Sequence, residues 1–277
     1  MLSTGGGPGP ATGAAGPGPG PGAGPAEAVL PPRIDERRAR LAVLVPSTNT
    51  VVEGEYAAMA PRGVTLHTGR MLVPAPSVAS DDDTTRLLGD VREGVPGALR
   101  SVMTCRPDRV LLGMSAPTFY GGLAGAGAYE AEIAARAGVP ATAGSTACTL
   151  ALRALGARRI SVLSPYRPVN DREVRNYFTE AGFAIAGYHT LLCTSAHQIA
   201  EVGEEVLVRA VDRLARARPD AIVQVGTNLW FAALAVSLER RLDIPVVAIN
   251  TATLWAGLRA TGINDRFTGA GRLLADH

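Results

Sequence analysis

The 277-residue chain is 47% hydrophobic and 19% charged, and its formal net charge is +2. All 27 basic residues are arginines, so the chain contains no lysine. Chemistry that needs a lysine is therefore excluded, namely Schiff bases to pyridoxal phosphate or to a carbonyl substrate, and Walker-type nucleotide binding. The near-neutral charge also argues against a nucleic-acid binder, which normally shows a basic stripe.

The N-terminal segment differs in composition from the rest of the chain. Residues 1–35 are rich in Gly and Pro and offer almost nothing to bury, which predicts a disordered tail. The tail lacks the basic and apolar regions of a secretory signal, and no later stretch approaches the roughly 18 apolar residues of a membrane span. We therefore expect a cytoplasmic protein that does not bind membranes.

The cysteines and histidines show no arrangement typical of a disulfide framework or a metal site. Cys105, Cys148 and Cys193 are odd in number and widely spaced, and the four histidines are scattered. Neither a CxxC motif nor a clustered His pair is present. We expect no structural disulfide and no metal.

Five short apolar runs follow the tail in chain order. They occupy residues 41–45, 109–113, 160–164, 221–226 and 245–249. Amphipathic segments with helical periodicity lie between them. Continuous apolar strands that alternate with helices predict parallel sheets covered by helices on both faces.

Three segments of the chain recur in the same order. RLAVLVPS at 40–47 matches RISVLSPY at 159–166, CRPDRVLLGMS at 105–115 matches ARPDAIVQVGTN at 217–228, and residues 138–156 match residues 243–262. This internal duplication predicts an α/β fold of two similar Rossmann-like lobes with parallel sheets, related by a pseudo-twofold axis. We place the first lobe at 36–145, completed by the C-terminal helical segment 250–277, and the second at 146–249.

Candidate ligand-binding residues follow four of the predicted strands. Ligands of open parallel sheets bind beyond the carboxyl ends of the strands, where helix N-termini and loop amides meet. The residues expected to bind substrate there are Pro46, Ser47, Thr48, Asn49, Gly113, Met114, Ser115, Tyr166, Gly226, Thr227 and Asn228. Uncharged hydroxyl and amide donors suit a small carboxylate and can stabilise an enediolate-like charge.

The same residue types also have ordinary structural uses. Ser, Thr, Asn and Gly after a strand are common helix caps and turn residues, and a tyrosine there is often only packed. The repeat that relates the four strand ends favours a site over isolated caps.

Two further motifs predict no cofactor or metal. The glycine-rich segment 121–127 lacks the GxGxxG spacing and the acidic residue of a dinucleotide-binding turn, so we expect no NAD. Asp81, Asp82 and Asp83 are better explained as a solvated loop or helix start than as metal ligands. We expect no cofactor.

Several strand-end motifs carry a resemblance to a known family. They are VPSTNTVVEGEY at 45–56, GMSAPTFYGG at 113–122, STACTLALRALGARRISVLSPY at 145–166 and VGTNL at 225–229. They resemble the aspartate/glutamate racemase superfamily, specifically its maleate isomerase and arylmalonate decarboxylase branch. The resemblance implies two Rossmann-like lobes and proton or nucleophile chemistry beside a carboxylate, without cofactor or metal.

The resemblance also implies roles for individual residues. Asn49 and Tyr166 match substrate-carboxylate contacts of maleate isomerases, and Pro46 matches a residue that lines the decarboxylase pocket. Met114 and Ser115 stand where the decarboxylase has a Thr-Ser oxyanion pair, so the serine is kept and the threonine is lost. Thr227 and Asn228 would supply backbone amides from the facing lobe.

The chain departs from the family at its reactive positions. Maleate isomerases and amino-acid racemases use one cysteine from each lobe, and this chain has Gly113 and Gly226 there. The decarboxylase keeps the second of these cysteines, which is also missing here. Proton handling then falls to Tyr166 or Ser115 as the candidate catalytic residues, with Thr227 and Tyr120 as further possibilities.

Three functions remain open from the sequence. The first is a cofactor-independent isomerase or lyase of maleate isomerase type that acts on a small dicarboxylate. The second is an arylmalonate-type decarboxylase, and the third is a carboxylate-binding protein that has lost catalysis. We also expect a homo-oligomer.

Overall fold

The computed structural model describes residues 37–74 and 77–277, so the predicted tail lies outside the described residues. The described chain forms two four-stranded parallel sheets with helices packed against them. The first sheet contains β1 (Ala39–Pro46), β2 (Val64–Met71), β3 (Arg109–Leu112) and β4 (Ala141–Thr142) in the order β2-β1-β3-β4. The second contains β5 (Arg159–Ser164), β6 (Ala184–Thr190), β7 (Ala221–Gln224) and β8 (Val246–Ala248) in the order β6-β5-β7-β8.

The two sheets share one strand order, as the internal duplication predicts. In the repeated segments β1 corresponds to β5, β3 to β7, and β4 to β8, and each pair occupies the same place in the two strand orders. The predicted fold class, two similar Rossmann-like α/β lobes, is confirmed. The exact lobe boundaries remain a prediction.

Most helices connect successive strands within one sheet, whereas α4 links β4 of the first sheet to β5 of the second, and α9 and α10 follow the last strand. They are α1 (Val52–Met59), α2 (Asp81–Val102), α3 (Gly122–Ala137), α4 (Gly144–Ala154), α5 (Pro168–Glu180), α6 (Ala196–Ala200), α7 (Glu204–Ala215), α8 (Ala232–Leu242), α9 (Ile249–Ala260) and α10 (Arg272–Asp276). Helix α2 begins at Asp81, and its N-cap Ser80 accepts a hydrogen bond from the Asp83 backbone N–H at 3.1 Å. The three aspartates thus form a helix start, where negative charge is favourable. No helix of the described chain has both the length and the apolar character that a bilayer crossing requires.

Helix α9 joins the two sheets. It is buried on nearly every side, which is why its apolar residues show no single face. Leu254 and Leu258 pack into the core of the first sheet, whereas Ala252 and Trp255 belong to the core of the second. A Cβ atom at Gly257 would lie 2.4 Å from Leu111 Cδ2, so any larger residue there would displace the Leu111 side chain from its packing between α9 and β3.

All five apolar runs form strands, and one of them is β8, an edge strand of the second sheet. The other three edge strands, β2, β4 and β6, did not stand out in the sequence. β2 and β6 are only partly buried, and β2 carries polar residues such as His67 and Arg70, so it lacks the continuous apolar run of a central strand. Its neighbours in the sheet, rather than its composition, fix its position.

Candidate active site

A cavity of about 80 Å³ lies at the carboxyl ends of β1, β3, β5 and β7. The predicted substrate-binding residues that line it are Pro46, Thr48, Asn49, Met114, Ser115, Tyr166, Gly226, Thr227 and Asn228. Both lobes contribute to the cavity. The residues of this list up to Ser115 come from the first lobe, and those from Tyr166 onward come from the second. The convergence of the four strand ends follows from the parallel order of the sheets.

Ser47 and Gly113 were also expected to bind substrate, but they do not line this cavity. The Ser47 hydroxyl accepts a hydrogen bond from the Val73 backbone N–H at 2.9 Å and so holds the turn after β2. Gly113 packs against β1, since a Cβ there would lie 3.0 Å from the Leu44 carbonyl oxygen and from Val45 Cγ2. Both residues therefore contact neighbouring backbone or side chains at the strand ends rather than the cavity.

Ser115 and Tyr166 present hydroxyl groups to the cavity. Ser115 is only 4% exposed, and among the described residues its Oγ makes no hydrogen bond of good geometry. It lies close enough to the Tyr166 hydroxyl to lower the pKa of that phenol, as does the Ala116 backbone N–H. Burial is the largest effect and raises the pKa of Tyr166, so the phenol stays protonated near neutral pH.

A buried polar network fixes Tyr166 from behind. Its backbone N–H donates to Ser164 Oγ at 3.1 Å, and its carbonyl accepts from Thr190 Oγ1. Ser164 in turn donates to Asp171, which also accepts from the Tyr188 hydroxyl at 2.7 Å. Burial raises the pKa of the Asp171 carboxyl, although these hydrogen bonds oppose the effect. The network thus fixes the backbone of Tyr166 at the end of β5.

Asn49 is partly engaged in holding the strand-end turn of β1. Its Oδ1 accepts from the backbone N–H groups of Val51 and Val52 at 2.9 and 3.0 Å, which starts α1. Its Nδ2 donates to Thr227 Oγ1 at 3.3 Å, across the lobes. One amide hydrogen of Asn49 and the hydroxyl hydrogen of Thr227 remain for a ligand.

Asn228 ties the two lobes together. Its Oδ1 accepts from the Thr50 backbone N–H at 2.9 Å, and its Nδ2 donates to the Ala196 carbonyl at 2.7 Å. The side chain of Asn228 is thus used for structure. The backbone N–H groups of Thr227 and Asn228, in contrast, have no hydrogen-bond partner in the described part of the chain.

Glu55 and Asn250 form a buried network that the sequence did not reveal. Glu55 Oε1 accepts from the backbone N–H groups of Phe231 and Ala232 at 2.8 and 2.7 Å, at the start of α8. Its Oε2 accepts from Asn250 Nδ2 at 2.7 Å, and the same Nδ2 donates to the Thr227 carbonyl at 3.0 Å. Burial is the largest effect on Glu55 and raises its pKa. The network holds the turn that lines the cavity.

The internal repeat contained one signal for Asn250. Ser145 and Asn250 stand at matching positions in STA (145–147) and NTA (250–252). Ser145 Oγ donates to the Thr118 carbonyl at 2.5 Å, as Asn250 does to the Thr227 carbonyl. Each residue therefore begins a buried helix and holds the loop after a central strand.

The remaining wall of the cavity is apolar. Leu87, Leu88 and Val91 come from α2, and Ile199 comes from α6. No described residue that lines the cavity is charged, and none is a cysteine. A ligand there meets neutral donors on one side and hydrocarbon on the other.

Comparison with known proteins agrees with this architecture. The family model for arylmalonate decarboxylase matches residues 104–274, which is more than half of the chain. The chain belongs to the arylmalonate decarboxylase family. The resemblance seen in the strand-end motifs is thereby confirmed.

Relatives of this family member include both enzymes named by the resemblance. Arylmalonate decarboxylase of Bordetella bronchiseptica is 31% identical over 148 residues, which cover 52% of this chain and 61% of that enzyme. Maleate isomerase of Nocardia farcinica is 26% identical over 250 residues, which cover 85% and 95%. The expectation that the chain is an enzyme, either an isomerase or a decarboxylase, is confirmed, without a choice between the two.

A solved structure shows the same fold. It is the maleate cis-trans isomerase of Nocardia farcinica with a covalently bound succinylcysteine intermediate. The TM-score is 0.78 at 23% identity, over 86% of this chain and 99% of that one.

The cysteines of this family member lie away from the cavity. Cys148 is fully buried, and burial raises the pKa of its thiol. Burial also raises the pKa of Cys193 to about 11. Neither thiol lines the cavity, and both are held in the neutral form that is a poor nucleophile.

Gly226 cannot be exchanged for a cysteine without strain. Its φ is +114°, and a Cβ there would lie 2.5 Å from Pro165 Cγ. The backbone of this turn and the Pro165 ring therefore both favour glycine at position 226. Gly113 has no positive φ, so a side chain there would be opposed by close contacts with β1 but not by backbone strain.

We expect Gly226→Ala to reduce the free energy of unfolding by about 2–4 kcal/mol, because backbone strain adds to the clash with Pro165. Gly138→Ala is the matched control. Gly138 also has a positive φ, but no atom of the described residues lies within 4 Å of the place that its Cβ would take, so only the backbone cost of about 1 kcal/mol applies. Urea denaturation measures both; equal losses would show that the Pro165 contact relaxes freely.

Proposed function

We propose that this chain is a cofactor-independent lyase that decarboxylates a small α-substituted malonate. The observation that carries the proposal is the composition of the cavity. The Ser115 hydroxyl, which has no hydrogen bond of good geometry among the described residues, and the neighbouring Tyr166 line a cavity that also has an apolar wall. None of the described residues that line the cavity carries a thiol.

Neutral donors suit the charge that develops in decarboxylation. When the bond between Cα and the departing carboxylate breaks, its electron pair moves into the remaining carboxylate and forms an enediolate. The Ser115 hydroxyl and the backbone N–H groups of Thr227 and Asn228 can donate to the enediolate oxygens. Such preorganised donors stabilise developing charge most strongly where water is excluded.

The apolar wall suits the departing carboxylate. Leu87, Leu88 and Val91 offer that group no hydrogen bond. A carboxylate held against hydrocarbon loses hydration, whereas CO₂ is neutral and needs none. The arrangement therefore favours loss of CO₂ over retention of both carboxylates.

Tyr166 supplies the proton in this proposal. Its hydroxyl transfers a proton to Cα of the enediolate, which regenerates a carboxylate, and the resulting tyrosinate takes a proton from water. A raised pKa is no obstacle, because an enediolate carbon is a far stronger base than a phenolate. The high pKa also keeps the phenol loaded with its proton at neutral pH.

Isomerisation by thiolate addition is less well supported. The solved relative carries its intermediate on a cysteine. This chain has Gly113 and Gly226 at the corresponding positions, and Gly226 leaves no space for a side chain. Maleate is therefore expected to remain unchanged.

The test is incubation with methylmalonate, phenylmalonate and maleate in deuterated buffer, followed by NMR. We expect a substituted malonate to lose CO₂ and to gain one deuterium at Cα, while maleate persists. Conversion of maleate to fumarate would favour the isomerase, and saturable binding without turnover would leave a carboxylate-binding protein. A sample without enzyme gives the background rate of exchange and decarboxylation.

A further inference from the structure

A second and larger cavity adjoins the candidate site. This outer chamber has a volume of about 520 Å³ and lies between α2 and α3. Arg92 of α2 and Tyr120 and Tyr129 of the facing segment line it. The chamber is open to solvent at its outer side.

Only one layer of side chains separates the outer chamber from the site. Leu88 and Pro117 line both cavities. Tyr129, which lines the outer chamber, donates a hydrogen bond to the sulfur of Met114 at 3.6 Å, and Met114 lines the inner cavity. Leu88 and Pro117 therefore form part of the wall that the two cavities share.

The volumes indicate how a substrate divides between them. The inner cavity of about 80 Å³ lies far below the roughly 300–1,000 Å³ of ordinary ligand pockets, whereas the outer chamber falls within that range. The inner cavity suits the reacting carboxylates of a substrate. A substituent of any length needs the outer chamber.

The charge of the outer chamber indicates the chemistry of that substituent. Among the described residues, the Arg92 guanidinium makes no ion pair or hydrogen bond. Glu132, the acidic residue of the lining, is paired with Arg136 at 3.0 Å. Arg92 is near enough to Tyr129 to lower the pKa of that phenol, although burial outweighs this and raises it to about 12. An exposed guanidinium that has no ion pair among the described residues and lies beside two aromatic rings suits a carboxylate on a hydrocarbon chain.

We propose that the outer chamber binds the substituent of the substrate and that Arg92 binds a carboxylate at its far end. The substrate class is then a malonate whose α-carbon carries an alkyl chain ending in a carboxylate. This inference rests on the proposed decarboxylase function and adds the specificity of the same site.

Two ligands of similar length test the proposal. They are butylmalonate and (3-carboxypropyl)malonate, which differ chiefly in the charge at the end of the chain. Calorimetry measures their dissociation constants, and NMR measures their decarboxylation. We expect the wild-type chain to bind the carboxylate-ended ligand about tenfold more tightly, as one charge-assisted hydrogen-bond pair allows.

Arg92→Ala is expected to abolish this preference, so that the two ligands bind with equal affinity. Arg100→Ala is the matched control, because Arg100 is an exposed arginine on the same helix that does not line the outer chamber. It should keep the full preference. Equal affinities in the wild type, or a preference that survives Arg92→Ala, would overturn the proposal.

The readouts separate this inference from the function on which it rests. Decarboxylation of butylmalonate without a preference for the charged chain would overturn the role of Arg92 and leave the lyase. Arg92-dependent binding of the charged ligand without decarboxylation would support the outer chamber and contradict the lyase.

Discussion

Tyr166→Phe is expected to lower kcat for a malonate substrate by about 10²–10³-fold, the loss typical of one oxyanion donor or general acid. The change removes only the hydroxyl, which faces Ser115 and the Ala116 backbone N–H. The ring and the network behind it should remain in place. Steady-state decarboxylation rates measure the effect, and KM should change much less than kcat.

Tyr177→Phe is the matched control for this experiment. Tyr177 is a buried tyrosine of α5 whose hydroxyl bonds Thr149 at 3.1 Å, outside the cavity. Its loss should cost about 1 kcal/mol of stability and leave kcat unchanged. Wild-type kcat in Tyr166→Phe would remove Tyr166 from the mechanism.

The pH profile gives a second test of the same residue. Because burial raises the pKa of Tyr166, its phenol stays protonated well above neutral pH. We therefore expect kcat to show no decline from about pH 6 to about pH 9, below the ordinary tyrosine pKa of about 10. A decline centred near neutrality would indicate a different proton donor.

Glu55→Gln is expected to lower the free energy of unfolding by about 2–3 kcal/mol, because it leaves a buried donor unsatisfied. The carboxylate accepts from two backbone N–H groups of the second lobe and from Asn250. In the variant, the new amide nitrogen faces Asn250 Nδ2, and two donors then oppose each other. Urea denaturation measures the loss.

Glu53→Gln is the matched control on the same helix. Glu53 is exposed and pairs with Arg70 at the surface, where ion pairs contribute about 0–1 kcal/mol. Its replacement should leave both stability and activity close to wild type. An equal loss in the two variants would show that burial of Glu55 has no special effect.

A double variant separates stability from positioning. In Glu55→Gln with Asn250→Asp, the Gln amide can donate to the Asp carboxylate, so part of the stability should return. The Asp cannot donate to the Thr227 carbonyl, so the turn that lines the cavity should stay misplaced. We expect kcat to remain low while unfolding moves back toward the wild-type midpoint. Activity that recovers together with stability would reduce Glu55 and Asn250 to a purely structural role.

The sequence predicted the central strands of both sheets and the strand ends that line the candidate site. Central strands of parallel sheets are buried on both faces, so runs such as 41–45 and 110–112 are apolar throughout and stand out in the sequence. The internal repeat then indicated that β1 and β3 of the first sheet correspond to β5 and β7 of the second. Because the carboxyl ends of parallel strands share one edge, the residues after these strands could be expected to meet.

Only the tertiary structure decided which of those residues face the cavity. Ser47 and Ser115 both follow a strand, yet one binds the Val73 backbone and the other presents a free hydroxyl. The direction of a side chain after a strand depends on the turn and on the neighbouring loop, and neither has a periodic signal. The requirement for glycine at position 226 also needed the structure, because it follows from the positive φ of that residue and from the contact that a Cβ would make with Pro165.

The apolar wall, the outer chamber and the Glu55 network also required the fold. Leu88 looks like any apolar residue of an amphipathic helix, and Glu55 looks like a solvated glutamate on a short helix. The residues with which they act are distant in the sequence. Glu55 accepts a hydrogen bond from Asn250, and Leu88 lines the inner cavity together with Pro117. Local patterns report which residues are buried, whereas contacts between residues far apart in the chain are set by how the two sheets pack around α9.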